Sequence, residues 1–406
     1  MLKSGGAVIP MQQNSNLIHL CGTEEALDTI RDVPVLPPFS EVVLTYLDQV
    51  AKILLKDPLA KQYADVITFA FWCRRSSTMK MSESYLPLSN RMGKGVAFHI
   101  APSNVPVNFA YSLATGLLAG NANIVRVPSK EFVQINVIVN ALESAFDTCP
   151  EMRDRIILLR YGHDPEITDK LSSLCDVRII WGGDKTIATI RTSPLPPRAT
   201  EIVFADRYSF SIIDADAYLT LETPEKIAQD FYNDTYLNDQ NACTSPQLII
   251  WMGAKREEAK KLFWETLHEL VQKKYELKPV QAVGKLSAAC RLAMDQDVSI
   301  CPSLDNYLVR VQVKQLSPDL MKYKYHSGFF QEYSAQELNE ILPMCTEKCQ
   351  TISYCGITAD TILSCIQDSG KKGVDRIVPL GKTMDFALIW DGYNLIERLT
   401  RIITVR

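Results

Sequence analysis

The 406-residue chain has eleven cysteines but no CxxC and no disulfide-framework spacing. An odd count without paired short spacings argues against a disulfide scaffold and against a structural zinc site. The densest group is Cys345, Cys349, Cys355 and Cys365. Cys345 and Cys349 could share one face of a helix, and the bland reading of all four is small apolar core residues, with no metal. Long apolar runs are also missing. The longest candidate span, Val105 to Gly120, is interrupted by Asn108, Ser112 and Thr115, so no membrane span is expected. The opening stretch "MLKSGGAVIPMQQNSN" has no apolar core of a secretory leader. There is no basic stripe, and the net charge is −4, which argues against nucleic acid as the main partner. Internal repeats and low-complexity segments are absent. Together these absences lead to the expectation of a cytoplasmic protein with reduced thiols.

What is present is an ordinary globular composition, 47% hydrophobic and 22% charged, in a chain long enough for two domains. Apolar runs that read as buried strands are Gly95–Ala101, Ala122–Val127, Arg155–Arg160, Val177–Trp181 and Glu201–Phe204. Helical segments at Pro106–Ala119, Glu131–Phe146, Pro165–Cys175 and Asp184–Thr192 fall between them. Such alternation, with continuously apolar strands, predicts a parallel sheet covered on both faces, an α/β dinucleotide-binding architecture. No GxGxxG follows the first strand. The pattern restarts after a boundary near Asp206, with a strand over Gln247–Trp251 and an amphipathic helix over Lys255–Tyr275.

Four stretches can carry chemistry. "HIAPSNVPVNFA" places Ser103 and Asn104 after the first strand, at the end where open α/β sheets bind ligands. Asn104 there is either an oxyanion donor or a helix cap or Asx-turn. "IVRVPSK" carries Arg126, Pro128, Ser129 and Lys130 where dinucleotide folds usually hold an acidic residue. A cation at that point suits a 2′-phosphate; the alternative is a solvated surface charge. "IIWGGDKTI" places Gly182 and Gly183 at a strand end, where a cofactor could approach the backbone and a helix N-terminus could face phosphate. "YLNDQNACTSPQLIIWMG" holds Cys243 on a polar loop between a helix and a strand. It reads as an exposed nucleophilic thiol or as a small buried hydrophobe. His99 sits within an apolar strand and reads as structural.

These stretches resemble, in order, the motifs of the aldehyde dehydrogenase superfamily. "DQNACTSPQ", "QTISYCG" and "GVDRIVPLGKTMDFALIWDG" closely resemble one branch, the acyl-CoA reductases related to the fatty acid reductase of bacterial bioluminescence (LuxC-like). The resemblance covers about Gly95 to Arg406. It implies an aldehyde dehydrogenase-like α/β fold of two Rossmann-like domains with the active site in the cleft between them. The expected divisions are 1–205 for a helical region and the NADP-binding domain, 206–378 for the catalytic domain, and 379–406 for a segment returning to the cofactor domain. It also carries the nucleophile onto Cys243 and the oxyanion donor onto Asn104.

Three departures refine the reading. The stretch matching the hydrolytic glutamate reads "EIVFADRYSFSII", with Glu201 in an apolar strand as its only carboxylate before Phe204. A reductase of acyl thioesters has no use for a water-activating base. The KPSE-type lysine corresponds to Val127, and the candidate for the nicotinamide-ribose glutamate is Glu332 in "GFFQEYS". The expected function is NADPH-dependent reduction of an acyl thioester, on CoA or on a carrier protein, to an aldehyde. The expected partner is the acyl-CoA or acyl-carrier protein substrate, and an acyl-protein synthetase and a homo-oligomer are left open. The alternatives are an aldehyde dehydrogenase, an acyl-phosphate reductase and a non-catalytic nucleotide- or partner-binding member.

Overall fold

The computed structural model describes residues 17–405 apart from 86, 87, 89 and 304, and the opening stretch read above for a leader lies outside them. The described chain forms two compact units. One runs to Trp181 and adds Ile187–Val203 and the residues from Leu399 onward; the other holds Gly182–Thr186 and Phe204–Arg398.

The first unit is built on β1 (Ile18–Cys21), β2 (Arg91–Gly93), β3 (Val96–Ile100), β4 (Ala122–Arg126), β5 (Ile156–Arg160), β6 (Val177–Trp181) and β7 (Thr200–Phe204). Six of them form one sheet in the order β1-β5-β4-β3-β6-β7. β5, β4, β3 and β6 run parallel, and β1 lies antiparallel on β5. β2 pairs instead with Thr400–Ile402. Every residue of β3 and β6 is buried, as suits mostly apolar strands covered on both faces; His99 and Arg178 are the polar exceptions. The intervening helices are Asn108–Leu118, Val133–Ala145 and Pro165–Leu174. The chain leaves β3 for β4 on one side and later returns to β6 on the other. The carboxyl end of β3 is therefore a topological switch point, where open α/β sheets form a crevice.

One buried polar cluster in this unit links β3, β4 and the helix Asn108–Leu118. His99 on β3 meets the Ser112 hydroxyl at 2.7 Å through Nδ1 and Asn123 Oδ1 at 3.0 Å through Nε2. Asn123 donates its amide to the Asn121 carbonyl, so Oδ1 is the acceptor and Nε2 carries the proton. Burial pushes the His99 pKa down to about 4, so the ring is neutral. A Cβ at Gly116 would lie 1.9 Å from Asn123 Oδ1, so this helix position is restricted to glycine.

The second unit contains β8 (Tyr208–Asp214), β9 (Pro246–Met252), β10 (Val298–Ile300), β11 (Val309–Val313), β12 (Phe329–Ser334), β13 (Cys349–Cys355) and β14 (Arg376–Pro379). The order is β10-β11-β12-β9-β8-β13-β14, parallel throughout except for β10. Side-chain alternation sends Ile212, Leu248 and Ile250 into one core and Ile213, Ile249 and Trp251 into another. The helix Arg256–Lys274 buries Phe263, Trp264, Leu267 and Val271 in the second core.

The cysteine group departs from its expected geometry. Cys345 follows a 3-10 turn and Cys349 opens β13, so the two share no helix face. Cys345 and Cys349 pack in one core and Cys355 in the other. Among the described residues no His/Cys/Asp/Glu group could hold a metal ion.

Candidate active site

Cys243 lies at the amino-terminal edge of the second unit's sheet, three residues before β9 begins. The chain reaches it through a helix, Pro224–Asp234, and a short 3-10 turn, Tyr236–Asn238. Asp239 and Gln240 then both adopt left-handed backbone conformations, with φ of 56° and 58°. Two successive non-glycine residues in this region are costly and persist only where the surroundings over-determine them.

The surroundings do so here. The buried Gln240 carboxamide donates to the carbonyls of Pro246 at 2.9 Å and Phe329 at 3.1 Å, and accepts from the Gly328 N–H at 3.1 Å. It thereby joins the far end of the cysteine loop to the start of β12. The Asp239 carboxylate accepts from the hydroxyls of Tyr275 and Ser327 and from Gln281. His326 lies 3.5 Å from its second oxygen. Behind it, the fully buried Lys285 donates to the carbonyls of Ser327 and Asn306, and burial pulls its pKa down to about 8.

The nucleophile candidate itself is half-buried, which corrects the expectation of an exposed loop thiol. Burial pushes its pKa up; the Arg207 backbone N–H donating to the sulphur, and the charge of Lys324, pull it back, while Asp206 and Asp391 push it up. The resting group is therefore a thiol. The Ser209 hydroxyl donates to the Cys243 carbonyl at 2.7 Å. Arg207 is anchored by Asp375, by the Cys349 carbonyl at 2.6 Å and by Asp391 at 3.8 Å, and Lys324 pairs with Asp206 at 3.0 Å. None of these partners was legible in the sequence. Residues 206–209 adjoin Cys243 only because β8 and β9 are neighbouring strands.

The remaining candidates follow β3, β4 and β6. Ser103 and Asn104 are exposed on a bend after β3, at the switch point. The following helix begins at Asn108 with Val107 as its cap residue, so Asn104 does not cap it. After β4, Val127 and Pro128 are buried while Ser129 and Lys130 are exposed. The Lys130 ammonium lies 4.8 Å from the Phe132 ring. Arg126 is largely committed within the fold: it donates to the Gly162 carbonyl at 2.9 Å and stacks 4.5 Å from the Tyr161 ring. Lys130 therefore fits a phosphate better than Arg126 does. Gly182 and Gly183 follow β6, neither with a left-handed φ, and a Cβ at Gly183 would meet nothing within 4 Å. The backbone there does not itself demand glycine. Their helix is only Asp184–Ile190.

Two carboxylates take different parts from those considered above. Glu332 is buried, accepting the indole N–H groups of Trp251 at 2.8 Å and Trp264 at 2.9 Å on one oxygen and pairing with Arg310 at 3.3 Å on the other. That corrects its reading as a ribose ligand, because the core occupies both oxygens. Glu201 is occupied in the same way, by Arg178 and Arg191.

The family profile of acyl-CoA reductases (LuxC) matches residues 19–402. The chain is 27% identical over 191 residues to a long-chain acyl-protein thioester reductase of Photorhabdus laumondii, a match covering 47% of this chain and 38% of that protein. It is 29% identical over 178 residues to the enzyme of the same name from Vibrio harveyi, covering 43% of this chain and 36% of that protein. These matches thus span well under half of either relative. Among solved structures, an oxidoreductase from Marinobacter aquaeolei superposes with a TM-score of 0.67 at 13% identity, covering 94% of this chain and 89% of that one. Aldehyde dehydrogenase 21 from Physcomitrella patens superposes at 0.64 with 11% identity, covering 93% and 88%. The fold is aldehyde dehydrogenase-like, and the chain belongs to the acyl-CoA reductase (LuxC) family.

Proposed function

We propose that the chain reduces an acyl thioester, carried on CoA or on a protein, to an aldehyde with NADPH, through a thioacyl-enzyme on Cys243. The observation that carries this reading is the half-buried Cys243 on a loop whose carbonyl is held by Ser209 and whose flank is fixed by Gln240. The names of the Photorhabdus and Vibrio relatives support a protein-borne acyl donor, such as one charged by an acyl-protein synthetase.

In this reading the Cys243 thiol loses its proton and attacks the acyl carbonyl. The carbon–sulphur bond to the donor breaks, and the donor leaves as a thiol after taking up a proton. Asn104 and the Cys243 backbone N–H stabilise the oxyanion. A nicotinamide cofactor, when bound, supplies the hydride that reduces the thioester carbon. Lys130 would hold its 2′-phosphate, with Ser129 beside it. The resulting thiohemiacetal on Cys243 collapses, returning the sulphur and releasing the aldehyde. Glu201 activates no water, because two arginines occupy it.

The test is incubation with a panel of acyl-CoAs and an acylated carrier, followed by intact-mass and peptide analysis. The expected result is one acyl group on Cys243, discharged as aldehyde when NADPH is added. Aldehyde oxidised with NADP in the absence of CoA would instead assign an aldehyde dehydrogenase, and acyl transfer only from an acyl phosphate would assign an acyl-phosphate reductase. No acylation with any donor would leave a nucleotide- or partner-binding member.

A further inference from the structure

We propose that Ser209 and Gln240 are positioning residues that hold the Cys243 loop from its two flanks and so fix where its sulphur rests. The inference rests on Cys243 being the nucleophile, as proposed above.

The loop from Asn241 to Ser245 has no regular secondary structure of its own. Apart from one turn closed by the Ser245 N–H on the Ala242 carbonyl, its geometry is set by its flanks. On one flank, the left-handed Gln240 has three side-chain hydrogen bonds inside the protein, to Pro246, Phe329 and Gly328. Its own N–H donates to the Thr235 carbonyl at 2.7 Å, and its carbonyl accepts from Gln247 at 3.3 Å. The carboxamide thus closes the loop on itself, because Pro246 lies just beyond it. On the other flank, Ser209 is fully buried on β8 and its hydroxyl fixes the plane of the peptide that follows Cys243. Displacing the Cys243 peptide from Ser209 therefore moves the sulphur from its resting position. Neither Ser209 nor Gln240 needs to touch substrate. They act by making one geometry of Cys243 the resting one, which lowers the reorganisation needed for attack.

The test follows iodoacetamide alkylation of Cys243 against pH by peptide mass spectrometry, in the full chain and in Ser209→Ala, Ser209→Thr and Gln240→Ala. Exposed Cys290 serves as the internal reference. Removing either hold is expected to slow Cys243 alkylation about 10-fold at fixed pH, the effect of losing roughly one hydrogen bond. It should also shift the alkylation midpoint, because a displaced sulphur meets different burial and charge. Ser209→Thr keeps the hydroxyl and should keep the parent profile. Cys290 should react alike in all four proteins, which separates a local effect from unfolding. Parent rate and midpoint in both alanine variants would overturn the proposal. The readout needs no acyl donor, so failure of Cys243 to be acylated would sink the functional reading while leaving this result separately visible.

Discussion

Arg178 holds one oxygen of Glu201 through two N–H groups, at 3.0 and 2.7 Å, while Arg191 takes the other oxygen at 2.7 Å. Arg178 is 2% exposed, and its remaining terminal nitrogen donates to Ser172 and to the Ser193 carbonyl. The carboxylate is a counter-ion for a buried guanidinium. Glu201→Gln is therefore expected to destabilise the protein by about 3 kcal/mol, because it leaves a buried charge uncompensated. Thermal or urea unfolding reads the loss. Turnover per folded molecule should stay near that of the parent; a catalytic defect in fully folded protein would return a chemical role to Glu201.

Cys243→Ala and Cys243→Ser are expected to abolish aldehyde formation while NADPH binding persists. Binding is followed by cofactor fluorescence and acylation by intact mass. Acyl-enzyme of normal stoichiometry in the alanine variant would place the nucleophile elsewhere.

Asn104→Ala is expected to lower kcat by roughly 10²–10³, the usual effect of losing one oxyanion donor. KM should change less, because the interaction strengthens in the transition state. The adjacent helix begins at Asn108, so a lost helix cap is not what the substitution removes. A falling melting temperature with normal kcat would make Asn104 structural.

Lys130 and Arg126 should separate in a cofactor comparison. Lys130→Glu is expected to lower kcat/KM for NADPH about 10-fold and leave NADH nearly unchanged, since an exposed charge-assisted contact contributes at the low end of its range. Arg126→Ala should affect both cofactors alike, because its guanidinium braces Tyr161 and Gly162. A parent enzyme that prefers NADH would remove the assignment.

His99 gives the fold a pH dependence with a definite sign. Its pKa falls from 6.5 to about 4 on folding. Between those values the unfolded chain binds more protons, so stability falls as the pH drops through this window, by about 3 kcal/mol once both limits are passed. Asp234, raised to about 6 by burial, works in the opposite direction over an overlapping range. The difference between parent and His99→Gln isolates the histidine: urea midpoints from pH 7 to 4 should converge as the pH falls. A constant difference would mean that the buried ring titrates normally.

The sequence by itself determined the α/β class and the positions of the strands between Gly95 and Phe204, with β9 beyond them. Val177–Trp181 was placed to the residue, and β3, β4, β5 and β7 to within one at each end, because strands buried on both faces are mostly apolar; β1, β2 and every strand of the second unit except β9 were missed. Helix starts were less legible: the helix expected from Pro106 begins at Asn108, since the intervening turn has the same composition as the helix. The ordered motifs carried the family. The tertiary structure decided which polar residues share a neighbourhood. Glu332 looks like a ligand in one dimension and proves to be a core acceptor for two tryptophans, because strand pairing sets β12 beside β9. Ser209 carries no signal at all in sequence, 34 residues from Cys243; it meets that residue's carbonyl because β8 and β9 lie side by side and their register places one near the other. Periodicity reports burial along one strand, whereas the partner of a loop residue depends on which strands are neighbours, and that is settled only when the whole sheet assembles.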